Sequence, residues 1–222
     1  METATSADGT VIAYDRRGRG DSGGLGDVWP VAAEREYEDL AAVAAAVGGT
    51  SPFVFGHSSG AAIVLRAAAT GLPVAGLVAY EAPFGNDETP APDVDPAERI
   101  RDLVAAGRNR DAVVFWMTEV TRIPGMTPAQ LDGAPWVTAL EPFAPALPYD
   151  LAVTAGGVSV DELAKIAAPV LILGGSDSPA WFRRSVAEQA AAIPGAHLRM
   201  LDGFAHNAPP EVIAPILIDF LT

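Results

Sequence analysis

The stretch FVFGHSSGAA at residues 53–62 constrains the fold of this chain more than any other part of it. Its apolar start predicts a buried strand, and the Ala- and Leu-rich run that follows predicts a helix. Between them stands Gly56-x-Ser58-x-Gly60, in the strand–turn–helix context that a nucleophile elbow requires. Ser58 must be strained in so tight a turn, and a side chain at either glycine is expected to clash. The turn predicts an exposed Ser58 hydroxyl, with the N–H of Ser59 placed where an oxyanion forms.

A G-x-S-x-G pentapeptide alone is a weak signal in a chain with 22 glycines, because it also fits an ordinary strand-to-helix turn. A serine nucleophile needs an imidazole to take its proton and a carboxylate to orient that imidazole. Asp177 and His206 each follow a predicted strand, at the sheet edge where sites form in α/β proteins. We therefore predict Ser58 as nucleophile, His206 as base and Asp177 as acid. Glu81 also ends a predicted strand and stays open as an alternative acid.

Composition argues against several kinds of site and partner. Half of the residues are hydrophobic, enough for a sizeable core, but no apolar run is long enough for a membrane helix. The net charge of −14 argues against binding to nucleic acid or to an anionic membrane, since both need basic patches. Cysteine is absent and the three histidines lack metal-ligand spacing, so we expect neither a disulfide nor a metal site. The N-terminus lacks the apolar core of a signal peptide, and we expect a soluble, cytoplasmic protein.

Strands and helices alternate before and after one region of different character. Apolar strands are predicted at 11–14, 53–55, 74–80, 168–175 and 197–201. Helices are predicted at 31–47, after the elbow, and from residue 210 to the closing leucine. Strands separated by helices indicate an α/β fold, with a mostly parallel sheet flanked by helices on both faces.

Residues 84–158 interrupt this alternation. The segment begins irregularly and continues as short helices broken by Pro and Gly, and it holds many of the large aromatic residues. We predict a helical cap inserted into a core formed by 1–83 and 159–222. Most of its aromatic side chains are expected to fill the core of the insertion. The candidates for the walls of a substrate pocket are His57, Phe84, Trp116, Met117 and Trp136.

Four motifs together give the chain a resemblance to the α/β-hydrolase family. They are DRRGRGDS at 15–22, GHSSG at 56–60, LGGSD at 173–177, and GFAH at 203–206. The resemblance extends from Tyr14 to the C-terminus. It implies the α/β-hydrolase fold, a Ser58–Asp177–His206 triad, a cap at 84–158, a small-molecule substrate and no cofactor.

The chain departs from the family pattern near its N-terminus. Residues 8–14 resemble the opening hairpin of the family but run directly into the loop at 15–22, which normally comes later. About 40 to 50 residues are missing between them, roughly one strand–helix–strand unit. Because the missing strand normally lies beside the nucleophile strand, its loss leaves backbone groups unpaired. We expect residues 11–15 to pair with 53–56, or a second copy of the chain to cover this edge in a homodimer.

The missing segment also carries a functional group. In the family its turn donates one N–H to the oxyanion, and losing such a donor typically lowers kcat about 10²–10³-fold. The N–H of Ser59 remains, and the loop at 16–24 is a candidate for a substitute donor.

The sequence thus favours a cofactor-independent serine hydrolase that cleaves a small, mostly apolar ester, lactone or amide through an acyl-enzyme. Two alternatives stay open, because fold does not fix function. One is a non-hydrolytic enzyme of the same fold, such as a cyclase or lyase in a biosynthetic pathway. The other is a catalytically impaired binding or assembly protein.

Overall fold

The structure is a computed structural model of the full chain. It describes residues 4–5, 11–12, 15–23, 32–47, 51–84, 94–121, 126–157 and 159–221. Within these ranges no helix has both the length and the apolar character needed to cross a membrane.

Its helices and strands follow one another along the chain as β1 (Ala4–Thr5), β2 (Val11–Ile12), α1 (Glu34–Ala46), β3 (Phe53–His57), α2 (Ser59–Ala69), β4 (Gly76–Tyr80), α3 (Pro96–Ala105), α4 (Asn109–Phe115), a π-helical turn (Trp116–Val120), α5 (Pro128–Leu131), α6 (Pro135–Leu140), a 3₁₀ helix (Glu141–Ala146), α7 (Leu147–Thr154), α8 (Val160–Leu163), β5 (Val170–Gly175), α9 (Ala180–Ala192), β6 (His197–Leu201) and α10 (Pro210–Leu221).

Two compact units make up the chain. The first unit contains Met1–Ala33 and Thr89–Ala152, and the second contains Glu34–Glu88 and Val153–Thr222. The N-terminal segment therefore groups with the helical insertion, although we expected it to belong to the core. The role of the insertion as a cap stays a prediction.

Ion pairs explain why the N-terminal loop belongs to the first unit. The guanidinium groups of Arg16 and Arg19 lie 2.8 and 2.9 Å from the two carboxylate oxygens of Asp150 in α7. All three side chains are largely withdrawn from solvent, which strengthens such contacts relative to exposed ion pairs. The short helices of this unit share one apolar core, which includes Ile100, Leu103, Val113, Leu131 and Val137.

The second unit is built on a four-stranded parallel sheet with the order β3-β4-β5-β6. Side chains of β4 alternate between its two faces. Leu77 and Ala79 pack with α2 and α9, while Val78 and Tyr80 pack with α10. Because the strands are parallel, their carboxyl ends lie at one edge of the sheet, and the loops that follow them meet there.

Our expectation that the strand near residue 11 pairs with the nucleophile strand is wrong for Val11 and Ile12. These two residues pair antiparallel with Ala4 and Thr5. A local hairpin closes a short loop, whereas pairing with β3 requires closing a much longer one, which costs more conformational entropy. Residues 13 and 14 lie outside the described part of the chain.

The strand β3 keeps two aromatic side chains exposed. Within the described residues it pairs with β4 only. Phe53 and Phe55 lie opposite Gly76 and Val78, and therefore on the sheet face that α10 covers over β4. Their side chains are 48% and 43% exposed, and among the helices that the structure describes none covers this face at β3 as α10 does at β4.

Candidate active site

The turn between β3 and α2 holds Ser58 in a strained conformation. Its φ and ψ are 56° and −124°, in a region that residues with a side chain avoid, at a typical cost of about 1–3 kcal/mol. The backbone is fixed on both sides. The N–H of Ser58 donates to the carbonyl of Tyr80 at 2.9 Å, and the carbonyl of Ser58 accepts from Ala61 and Ala62 in the first turn of α2. This is the geometry expected of a nucleophile elbow.

The two glycines of the elbow differ in their surroundings. A Cβ atom on Gly56 would lie 2.6 Å from the carbonyl carbon of Gly60 and 2.7 Å from the Cα of Ala61. Our expectation for Gly56 is therefore confirmed. For Gly60 it is wrong, because a Cβ atom there would have no described atom within 4 Å apart from its chain neighbours and the backbone of its own helix. A side chain at Gly60 would therefore enter open space, so this glycine relieves no clash.

This difference predicts opposite effects of the same substitution. We expect Gly56→Ala to lower the free energy of unfolding by several kcal/mol, since the backbone of α2 must move. We expect Gly60→Ala to change it by less than about 1 kcal/mol. Urea unfolding followed by circular dichroism measures both changes. Equal destabilisation by the two variants contradicts this account of the turn.

The carboxylate closest to the base is that of Glu81. This residue follows β4, has a φ of 49° and is fully buried. Its Oε2 lies 2.7 Å from Nδ1 of His206, and its Oε1 accepts from the N–H of Gly175 at 2.8 Å and from the hydroxyl of Ser178 at 2.5 Å. Burial acts to raise the pKa of Glu81, but these hydrogen bonds outweigh it and lower the pKa below its ordinary value. Glu81 is therefore an ionised, buried acceptor.

The sequence-based preference for Asp177 over Glu81 is contradicted by this geometry. Asp177 is exposed, and its Oδ1 accepts from the neighbouring hydroxyl of Ser176 at 3.0 Å. Its own N–H donates to the carbonyl of Phe204, so Asp177 supports the loop before His206 through its backbone. The chain order of serine, carboxylate and histidine is the same with Glu81 as with Asp177.

The contact with Glu81 fixes the tautomer of His206. An ionised carboxylate can only accept, so Nδ1 carries the proton and a neutral imidazole keeps its lone pair on Nε2. The His206 ring packs among aromatic rings, with centroid distances of 4.6 Å to His57 and 5.1 Å to Phe182. Within the described residues no hydrogen bond joins the Ser58 hydroxyl to His206. Such bonds are often long without substrate and shorten in the substrate complex.

The predicted pocket residues have different environments. Phe84 is 4% exposed in the core of the second unit, so the expectation that it lines a pocket is wrong. Trp136 is 45% exposed on the first unit. Trp116 and Met117 line a cavity of about 340 Å³ within the first unit.

His57 lies in the interior of the site rather than on an open wall. Its Nε2 donates to the carbonyl of His206 at 2.7 Å, and burial lowers the pKa of His57. Sequence reasoning missed the hydroxyl of Ser178 and the rings of Tyr80 and Phe182. No local pattern distinguishes these residues, although Tyr80 precedes a carboxylate that we had singled out.

Comparison with known proteins agrees with this fold. The model of one protein family, described as the alpha/beta hydrolase family, matches residues 3–214. No protein with a curated description matches the chain. Among solved structures, an alpha/beta hydrolase from Sphaerobacter thermophilus DSM 20745 is 38% identical, with a TM-score of 0.89 and 100% of each chain covered.

Two more distant structures share the fold at 20% identity. An enol-lactonase from Burkholderia xenovorans LB400 has a TM-score of 0.65, with 93% of this chain and 78% of that chain covered. An esterase from Rhodococcus sp. ECU1013 has a TM-score of 0.60, with 100% and 98% covered. The strained Ser58 turn, the buried carboxylate beside His206 and the family match across nearly the whole sequence agree with one another. The chain belongs to the alpha/beta hydrolase family.

Proposed function

We propose that this protein is a cofactor-independent serine hydrolase that cleaves a small, mostly apolar ester, lactone or amide through an acyl-enzyme. The observation that carries the proposal is the 2.7 Å contact between Glu81 and His206, in the same unit as the strained Ser58 turn. A buried carboxylate that fixes a histidine tautomer serves general-base catalysis. A structural ion pair would not require the strained serine as well.

The proposed reaction has two steps, acylation and deacylation of Ser58, and the same catalytic groups act in both. The Ser58 hydroxyl attacks the carbonyl carbon of the substrate while Nε2 of His206 takes its proton. Glu81 stabilises the imidazolium, and the N–H of Ser59 stabilises the oxyanion. His206 then protonates the leaving group. In deacylation His206 takes a proton from a water molecule, which attacks the acyl carbon, and then returns that proton to the Ser58 oxygen. The proposal assigns no part to Asp177 in proton transfer.

The apolar character of the substrate is inferred from the helical unit. Its cavity of about 340 Å³ is lined mainly by apolar side chains, with the ion-paired Arg19 and Asp150 among them. A π-helical turn at Trp116–Val120 forms part of the wall, and such turns are frequent at functional sites. The hydroxyls of Thr118 and Thr121 donate to the carbonyls of Val114 and Met117, which stabilises this unusual turn.

Hydrolysis of a p-nitrophenyl ester series with acyl chains from C2 to C8 tests the proposal. We expect turnover of the short and medium chains, and covalent labelling of Ser58 by a fluorophosphonate. A folded protein that is neither labelled nor active on esters, lactones or amides contradicts it. Labelling without hydrolysis, together with product analysis, points to non-hydrolytic chemistry at an activated serine.

We further propose that the homodimer expected from the sequence forms at β3. A two-fold pairing of Phe53–His57 with its copy brings no like charges together, and it covers Phe53 and Phe55. Sedimentation velocity should show a dimer that higher salt strengthens, because each copy carries a net charge of −14. Phe55→Lys should give a monomer. Val160→Lys should leave the dimer intact, because Val160 lies in α8, where its side chain is 67% exposed. A monomeric wild type at all salt concentrations contradicts the proposal.

A further inference from the structure

Two side chains that the proposed reaction does not use hold the loop that carries His206 at the residues nearest to this histidine. We call residues 202–208 the base loop. The hydroxyl of Tyr80 donates to the carbonyl of Ala205 and accepts from the N–H of Ala208 at 3.2 Å. Nε2 of His57 donates to the carbonyl of His206 at 2.7 Å. These two side chains therefore hold the backbone at Ala205, His206 and Ala208. The base loop is also held at Gly203 by the Ser176 hydroxyl and at Phe204 by the N–H of Asp177.

Both side chains come from the last residue of a strand. His57 ends β3 and Tyr80 ends β4, and the two residues are opposite each other in the parallel ladder. Residues in this position share one face of the sheet, and their ring centroids are 5.0 Å apart. The pleat of the sheet thus presents them side by side to the base loop.

Each strand end supplies two consecutive residues with different tasks. On β3, His57 contacts the backbone of His206 and is followed by Ser58. On β4, Tyr80 contacts the backbone of the base loop and is followed by Glu81, which contacts the His206 ring. The nucleophile and the acid are thus each one peptide bond away from a residue that holds the base loop.

We propose that His57 and Tyr80 are positioning residues that set the location of the His206 imidazole relative to Ser58 and Glu81. This inference rests on the proposed function for the roles of those three groups. A displacement of about 1 Å in a reacting group can cost about 10²-fold in rate. Since no hydrogen bond joins Ser58 to His206 within the described residues, the bond from His57 provides the shortest link between the nucleophile turn and the base.

The chemistry of His57 suits this task. A carbonyl oxygen only accepts, so Nε2 of His57 carries a proton and the neutral ring leaves Nδ1 without one. Burial lowers the pKa of His57, and the nearby charge of His206 lowers it further. A proton on His206 therefore disfavours a second proton on His57, because the two rings are 4.6 Å apart and two cations would repel each other.

Three variants separate positioning from general packing. His57→Gln keeps a nitrogen donor at nearly the same distance, His57→Leu removes it, and Tyr80→Phe removes only a hydroxyl. With a soluble p-nitrophenyl ester we expect His57→Leu and Tyr80→Phe each to lower kcat about 5- to 10-fold, with KM little changed. We expect His57→Gln to stay within about 3-fold of wild type. Thermal melting verifies that each variant folds.

Hydrogen–deuterium exchange of the base loop supplies a readout that needs no activity. We expect faster exchange of the Ala208 amide in Tyr80→Phe, because this amide loses its acceptor. The N–H signal of the His206 imidazole in ¹⁵N NMR should shift in His57→Leu and stay near its wild-type position in His57→Gln. If wild type proves inactive and these two effects remain, the proposed function fails while the positioning role stands.

The inference is overturned by either of two results. One is unchanged exchange of the base loop in both Tyr80→Phe and His57→Leu. The other is a His57→Gln variant as impaired as His57→Leu at equal thermal stability, because the lost hydrogen bond is then not the cause. Should His57→Leu fail to fold, Tyr80→Phe decides alone, since it keeps the aromatic ring and its packing.

Discussion

Replacing Ser58 with alanine is expected to lower kcat for ester hydrolysis by about 10⁶-fold. Alanine has no oxygen to attack the carbonyl carbon, so acylation stops while the His206–Glu81 contact remains. The circular dichroism spectrum should not change, since the Ser58 side chain caps nothing in α2. Initial rates with p-nitrophenyl acetate and butyrate, measured against enzyme concentration, provide the number.

Labelling makes the same test independent of turnover. Mass spectrometry after fluorophosphonate treatment should locate the adduct on residue 58 in wild type and find none in Ser58→Ala. Ser51→Ala, at an exposed serine just before β3, is the matched control and should be labelled and active as wild type is. Hydrolysis that survives in Ser58→Ala assigns the activity to another group and contradicts the proposed nucleophile.

Replacing Glu81 with glutamine should lower kcat by about 10⁴-fold, the size of effect seen when a triad carboxylate becomes an amide. The glutamine amide can donate to Nδ1 of His206, which favours the tautomer with its proton on Nε2. That tautomer cannot accept a proton from Ser58. Asp177→Asn is the matched control, because Asp177 is exposed and its carboxylate does not touch His206. We expect this control to stay within about 3-fold of wild type.

Acid unfolding gives a second measurement on Glu81→Gln. The pKa of Glu81 is lower in the folded state than its ordinary value, so its ionised form stabilises the fold. This contribution is present above the unfolded-state pKa, about 4.3, and is lost as pH falls through the folded-state value. Glu81→Gln should therefore flatten the loss of stability below pH 5. A large kinetic effect of Asp177→Asn with a small one of Glu81→Gln contradicts the assignment.

The sequence was sufficient to predict the elements that local pattern determines. The β3–turn–α2 arrangement follows from an apolar run, two glycines and a helical run, and β6 and α10 are found at the predicted residues. The sequence pattern could not decide whether Glu81 or Asp177 is the acid. Glu81 and Asp177 both follow strands that are neighbours in the sheet, so spacing cannot separate them. The decision depends on a φ of 49° at Glu81 and on donors from Gly175 and Ser178, which only the folded chain brings together.

The misplaced N-terminal strand has a related cause. Alternating apolar residues predict that a strand forms, but they do not state its partner. We expected pairing with β3 because the edge of that strand lacks its usual neighbour. Val11 and Ile12 instead pair with the strand nearest in sequence. Phe84 was misread because an aromatic residue in the loop after a strand can face either a pocket or the core, and here it faces the core.

The strained backbone has an evolutionary consequence. Within the described residues, Ser58 and Glu81 are the only non-glycine residues with positive φ, and both belong to the proposed triad. At about 1–3 kcal/mol each, this strain is a substantial fraction of the 5–15 kcal/mol that stabilises a typical domain. Replacing Ser58 with glycine would relieve the backbone strain at this position but would also remove the nucleophile. At position 58, stability and the proposed activity therefore make opposite demands on the sequence, because the residue that would relieve the strain has no hydroxyl.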